Sequence, residues 1–74
     1  MNGKRFEVGK TYEWADSRYD PITVTRRTDK SVWVDNGQSK WRMLVRLDGY
    51  DNEYVSDSSV PEKWRTTCSA KWEI

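Results

Sequence analysis

The chain has 74 residues, of which 35% are apolar and 34% charged, and its 13 Lys and Arg against 12 Asp and Glu leave a net charge of +1. This length predicts a single small domain over residues 1–74, and the balanced charge excludes a global field strong enough to hold a polyanion. With one cysteine and no histidine, a disulfide framework, a structural zinc site and histidine-dependent catalytic triads are excluded within the monomer.

Alternation of apolar and polar residues dominates the first half of the chain. In "KRFEVGKTYEW" the apolar residues lie two apart on either side of Gly9, which marks a turn or a bulge. A polar loop ends at Pro21, and "ITVTRRT" and "SVWVD" follow as two further strands joined by a tight turn. The pattern predicts strands rather than helices.

Asn36-Gly37 is the strongest turn signal in the sequence. Asn-Gly between two alternating runs predicts a two-residue type I′ hairpin, because both turn positions favour positive φ. That turn would place Val34 opposite Ser39 and Trp33 opposite Lys40. The apolar face of the hairpin then carries Val32, Val34, Trp41, Met43, Val45 and Leu47. The other face carries Trp33, Lys40, Arg42, Leu44 and Arg46.

The second half continues with a turn over 48–52 and a short strand at "EYVSD". Ser59 three residues before Glu62, with Pro61 between them, is a capping-box spacing and predicts one short helical turn. The tail alternates again, and one of its sides carries Trp64, Thr66, Cys68, Ala70, Trp72 and Ile74.

Five or six short antiparallel strands with frequent turns predict an all-β fold. At this length we expect the strands to close into a small barrel, because closure removes exposed sheet edges. An edge left open would allow a dimer, so a monomer or an edge-paired dimer is expected.

Trp33 is the candidate binding residue. The predicted register leaves its indole among the cations Lys40, Arg42 and Arg46, with Arg27 extending the surface from the preceding strand. Three interpretations stay open: ordinary packing of Trp33 under the Lys40 stem, a contact with a protein partner, or stacking on a nucleic-acid base. The basic residues beside Trp41 and Trp72 are read instead as the outward half of amphipathic strands.

Other motifs carry little chemistry. "VGKT" lacks the upstream Gly of a phosphate loop, and "DGYDNE" lacks the spacing of a calcium loop. Cys68 has apolar neighbours on its side of the strand and is interpreted as a small buried residue. We therefore expect no enzyme, no cofactor and no metal. The single cysteine favours a cytoplasmic location, and neither a membrane-spanning run nor a signal peptide is expected.

Several short motifs carry a resemblance to known proteins. Phe6, Val8, Gly9 and Tyr12 fit F-x-V-G-x-x-Y, then Arg27, Thr28, Lys30, Ser31 and Val32 fit R-T-x-K-[ST]-V, and Arg42, Glu53 and Tyr54 fit the basic strand and the E-Y pair. Over residues 6–55 the chain resembles small SH3-like domains of gut Firmicutes and their phages and mobile elements, whose function is largely unassigned. The tail "EKWRTTCSAKWEI" departs from the Gly-x-Tyr-Ser ending usual there.

The expected function is that of a cytoplasmic, non-enzymatic protein-binding module of phage or mobile-element origin, such as an inhibitor of the anti-CRISPR kind. The alternative is a small β-barrel that binds nucleic acid through its Trp, Arg and Lys face. No membrane partner is expected.

Overall fold

A computed structural model of the protein describes residues 3–57 and 61–74. It is all-β, as predicted, and antiparallel throughout. The strands are β1 (Thr11–Trp14), β2 (Ile22–Arg27), β3 (Ser31–Asp35), β4 (Lys40–Leu44), β5 (Arg46–Leu47), β6 (Glu53–Ser56) and β7 (Thr67–Glu73). A 3-10 turn, Glu62–Trp64, precedes β7.

The seven strands form one sheet in the order β4-β3-β2-β1-β7-β6-β5. Its two end strands, β4 and β5, are consecutive in the chain and are separated only by Val45. The Val45 N–H donates to the carbonyl of Lys30 at 2.8 Å and holds this bend against the start of β3. The sheet therefore curls until β4 approaches β6. The bend divides the second arm of the predicted hairpin into two strands, and the sheet has seven strands rather than five or six.

The core lies inside the curl and consists of large apolar side chains from most of the strands. Phe6 meets Tyr12 edge-to-face, with ring centroids 4.8 Å apart. The buried apolar residues are Phe6, Tyr12, Trp14, Ile22, Val24, Val32, Val34, Met43, Val55, Cys68 and Ala70. Trp41, Tyr19 and Val45 pack against this cluster while staying partly exposed.

The predicted two-residue turn at Asn36-Gly37 is wrong, because the loop between β3 and β4 spans four residues, 36–39. The Asn36 side chain stabilises the longer loop by accepting hydrogen bonds from the N–H groups of Gln38 and Ser39, at 2.9 and 2.8 Å. The register moves by two residues, so that Val34 pairs with Trp41 and Trp33 with Arg42. Because side chains alternate with a period of two, a slip of two leaves the predicted faces unchanged.

Some predicted apolar positions are exposed instead. Leu47 is 55% exposed because it lies beyond the bend, on the short end strand β5. Trp64 is 71% exposed because it belongs to the 3-10 turn and not to β7. Ile74, just after the end of β7, is exposed as well.

The predicted helical turn is present as the 3-10 turn after Pro61, with the Trp64 N–H donating to the Pro61 carbonyl at 2.9 Å. Ser59, the predicted cap, lies outside the described residues. In the part of the chain that is described, no helix has the length and apolar character needed to span a bilayer.

Candidate binding groove beside strand β4

A groove of about 530 Å³ opens between β4, the chain just after β6, and the loop that joins β1 to β2. Its apolar lining consists of Trp14, Tyr19, Trp41 and Met43. We call the cavity that these residues line the aromatic groove. The rings of Trp14 and Tyr19 lie 5.1 Å apart at an angle of 46°. The groove is thus an opening of the core to solvent, formed where the curled sheet lacks a ladder between β4 and β6.

Tyr19 is held in place at both ends. Its N–H donates to the Asp16 carbonyl at 3.1 Å, and its hydroxyl donates to the Asp57 carboxylate at 2.8 Å. The hydrogen bond to Asp57 raises the pKa of Tyr19. Arg18 in turn binds the Asp16 carboxylate and lowers its pKa to about 2. The hydrogen bonds of Tyr19 and Arg18 order the loop between β1 and β2. The Tyr19 side of the groove is therefore preformed.

The rim of the groove is charged on both sides. Arg42 and Arg46 line it from β4 and β5, and Asp20 and Asp57 line it from the opposite side together with Arg65. Within residues 3–57 and 61–74, neither Arg42 nor Arg46 forms an ion pair. The β4 side therefore presents two guanidinium groups that form no ion pair with a described residue.

β4 also presents a free backbone edge beside the groove. The hydrogen bonds from Val45 to Lys30 and from Asn36 to Ser39 show that the backbone groups of residues 39, 41, 43 and 45 turn toward β3. Those of Lys40, Arg42 and Leu44 consequently turn the other way, since direction alternates along a strand. On that side β4 has no ladder with any described strand.

Trp33, the predicted binding residue, is half-buried on the outer face of the sheet. The Arg26 guanidinium lies over its ring, 4.7 Å from the centroid, and Arg42 stands directly opposite on β4. Lys40 faces Asp35 rather than Trp33, because the register is two residues from the predicted one. The indole thus lies between two arginines in a row across β2, β3 and β4.

Arg27 does not lie on the Trp33 surface. An irregularity between Val24 and Arg26 shifts the register, so that Arg26 pairs with Trp33 and Arg27 pairs with the buried Val32. The Arg27 guanidinium binds the Glu53 carboxylate at 2.7 and 2.9 Å, and its bond to Glu53 raises the Arg27 pKa. It also donates to the Phe6 carbonyl at 2.7 Å. Arg27 therefore ties the N-terminal segment to β6.

Arg46 lies opposite Tyr54 on β6, at the other end of the sheet order. The bend at Val45 nevertheless brings it to the same groove as Arg42. The structure thus places Arg42 and Arg46 at the groove, and joins Trp33 with Arg42 on the outer face. Lys40 precedes Arg42 by two residues on β4 and therefore shares its outer face.

The apolar lining of the groove was missed by sequence reasoning. Alternation assigns Trp14, Trp41 and Met43 to the core side of the sheet, and the structure places them on that side. What alternation does not show is that β4 ends the sheet, so that the inner side of this strand is partly open. A tyrosine in the "SRYDP" loop soon after Trp14 is the only local signal, and it is a weak one.

Among the described residues, no group of three or more Cys, Asp or Glu is placed to hold a metal ion. No protein-family model, curated protein or solved structure matches the chain.

Proposed function

We propose that this protein is a non-enzymatic protein-binding module and that the aromatic groove takes a segment of its partner. The observation that carries the proposal is the opening of Trp14, Tyr19 and Trp41 to one preformed groove whose rim carries Arg42 and Arg46. Tryptophan, tyrosine and arginine dominate the binding energy of protein interfaces. A groove of about 530 Å³ has the size of clefts that bury small ligands or a few side chains.

The proposal includes the finer fold. The joining of β4 and β5 at Val45 and the approach of β4 to β6 support an SH3-like barrel left open along one seam. An origin in a phage or mobile element, a cytoplasmic location, and a role as an inhibitor of the anti-CRISPR kind are parts of the same proposal. They are supported by the sequence motifs over residues 6–55 and by the cysteine content.

Selection of peptides from a random library displayed on phage tests the binding function. We expect selected peptides to shift the indole resonance of Trp41 in a ¹H–¹⁵N spectrum. Trp41→Leu should weaken their binding by about tenfold or more, since an interface tryptophan contributes about 2 kcal/mol or more. Trp64→Leu, which removes an exposed indole outside the groove, should bind as the wild type does.

Two results would contradict this proposal. One is a library that yields no binder. The other is a set of binders that Trp41→Leu and Trp64→Leu affect equally, while far-ultraviolet circular dichroism shows both variants folded.

Nucleic-acid binding is the second candidate, and the row Arg26–Trp33–Arg42 favours it. A base could stack on the indole in place of the Arg26 guanidinium that lies over the ring, while the flanking cations, with Lys40, hold phosphates. Such binding should weaken steeply between 50 and 200 mM salt. A gel-shift series with single-stranded DNA and RNA, using the wild type, Trp33→Ala and Arg42→Ala, measures it. No shift at 50 mM salt with any of these nucleic acids would remove this candidate.

A further inference from the structure

The free edge of β4 has two chemically different sides. Trp41 and Met43 project to the inner side and line the aromatic groove. Lys40, Arg42 and Leu44 project to the outer side and are exposed, and Arg42 and Leu44 also border the groove along the strand edge. Between the two sides lie the backbone N–H and C=O groups of the same three residues, Lys40, Arg42 and Leu44, which pair with no described strand.

A strand that pairs with this edge must place its own side chains alternately on the two sides. One set enters the aromatic groove beside Trp41 and Met43. The other set lies directly opposite Lys40 and Arg42, where opposite charges stabilise a cross-strand pair and like charges destabilise it.

We propose that the partner segment is an extended strand of alternating acidic and apolar residues that adds to β4. This inference rests on the proposed protein-binding function and names the chemistry of its partner. The backbone of β4 supplies hydrogen bonds to the added strand, as in other cases of strand addition to a sheet edge. The groove selects apolar side chains on one side, and Lys40 and Arg42 select carboxylates on the other.

The same charges disfavour a second copy of this chain as the occupant. Antiparallel self-pairing centred on Arg42 sets two guanidinium groups against each other, and a shift by two residues sets Lys40 against Arg42. Charged side chains on a sheet edge commonly prevent such self-pairing. An acidic segment converts this repulsion into attraction.

Amide hydrogen exchange measured by NMR tests the proposal, with the N-acetylated and C-amidated peptide Glu-Val-Glu-Phe-Glu-Val as probe. At saturation the amides of Lys40, Arg42 and Leu44 should exchange at least about tenfold more slowly than in the free protein, because each becomes part of a ladder. The amides of Trp41 and Met43, which already face β3, should change little. A peptide with the same residues grouped as Glu-Glu-Glu-Val-Phe-Val and one with Lys in place of Glu serve as controls, and both should bind more weakly.

Arg42→Glu should weaken binding of the alternating peptide by about tenfold, or about 1.4 kcal/mol. Lys71→Glu makes the same charge change on the interior strand β7, and it should leave the affinity within about twofold of the wild type.

The outcomes separate this inference from the proposed function. If library-selected peptides bind in the groove without slowing exchange at Lys40, Arg42 and Leu44, the strand-addition inference is overturned and the protein-binding function stands. If neither the alternating peptide nor any selected peptide binds, both are overturned. Protection of the same three amides that grows with protein concentration in the absence of peptide would identify a second copy as the occupant, and this too would overturn the inference.

Discussion

At the scale of single residues, Glu53 is the only buried charged side chain among the described residues, with 5% of its surface exposed. It accepts two hydrogen bonds from Arg27 and one from the Phe6 N–H. Burial alone would raise the pKa of Glu53, but the bonds from Arg27 and Phe6 outweigh burial, and the pKa is lowered. This carboxylate connects β2, β6 and the N-terminal segment.

Glu53→Gln should lower the free energy of unfolding by about 2–3 kcal/mol, because it leaves the partly buried Arg27 charge without its counterion. Urea denaturation measures the change. Asp51→Asn removes the exposed ion pair with Arg5 and should cost less than about 1 kcal/mol. Equal losses in the two variants would contradict the structural role given to Glu53.

The stability difference between the wild type and Glu53→Gln should also depend on pH. Because the folded-state pKa of Glu53 lies below its ordinary value of 4.5, its ion pair contributes stability in full above that pH. This contribution is lost as pH falls through the folded-state pKa. Urea titrations from pH 6 to pH 3 should therefore show the difference narrowing below about pH 4.5. Asp16 and Asp48 also have lowered pKa values. Both residues are present in the wild type and in Glu53→Gln, so they do not contribute to the difference in stability. A constant difference would be inconsistent with this linkage.

Cys68 is fully buried, and burial raises the pKa of its thiol to about 12. Since the thiolate is the reactive species, the native protein should react with a disulfide reagent at least about 100-fold more slowly than in 6 M urea. Absorbance of the released thiol measures the rate. Rapid reaction of the native protein, under conditions where circular dichroism shows it folded, would mean that β7 opens readily.

At the scale of elements, the four-residue loop 36–39 sets the register of β3 and β4. Gly37 adopts a φ of 93°, and its N–H donates to the Asp35 carboxylate at 2.7 Å. Gly37→Ala should cost about 1–3 kcal/mol, because a side chain strains this left-handed conformation. Gly49→Ala is the matched control, since a Cβ there meets no atom within 4 Å and its φ is not positive. Thermal unfolding that shifts equally in both variants would show that the loop conformation is not the cause.

At the scale of the whole molecule, the curled sheet leaves β4 as an open edge whose cations oppose self-pairing. Lys40→Val with Arg42→Val should therefore make the protein self-associate at about 100 µM, and we expect the wild type to stay monomeric at that concentration. Sedimentation velocity at several concentrations measures this. Arg26→Val with Lys71→Val removes the same charge from interior strands and should not cause association. If both double variants associate equally, loss of net charge and not the edge is responsible.

Much of this fold follows from the sequence by itself. Alternation with a period of two identified the all-β class and the sides of Val32, Val34, Trp41 and Met43, because which side a residue takes depends only on its position along a strand. The faces predicted for β3 and β4 stayed correct because the error in the loop at residues 36–39 was two residues, an even number. The charge balance follows from composition, and the apolar neighbours of Cys68 follow from local alternation, so neither required knowledge of the fold.

The tertiary structure decided where the sheet ends and which cations meet. Because of the irregularity between Val24 and Arg26, Arg26 lies opposite Trp33 and Arg27 binds Glu53 instead. This irregularity arises in the pairing of β2 with β3. The bend at Val45 brought Arg42 and Arg46, which belong to opposite ends of the sheet, to one groove. Neither could be read from the sequence, because both depend on contacts between residues distant in the chain, whereas alternation records only local order.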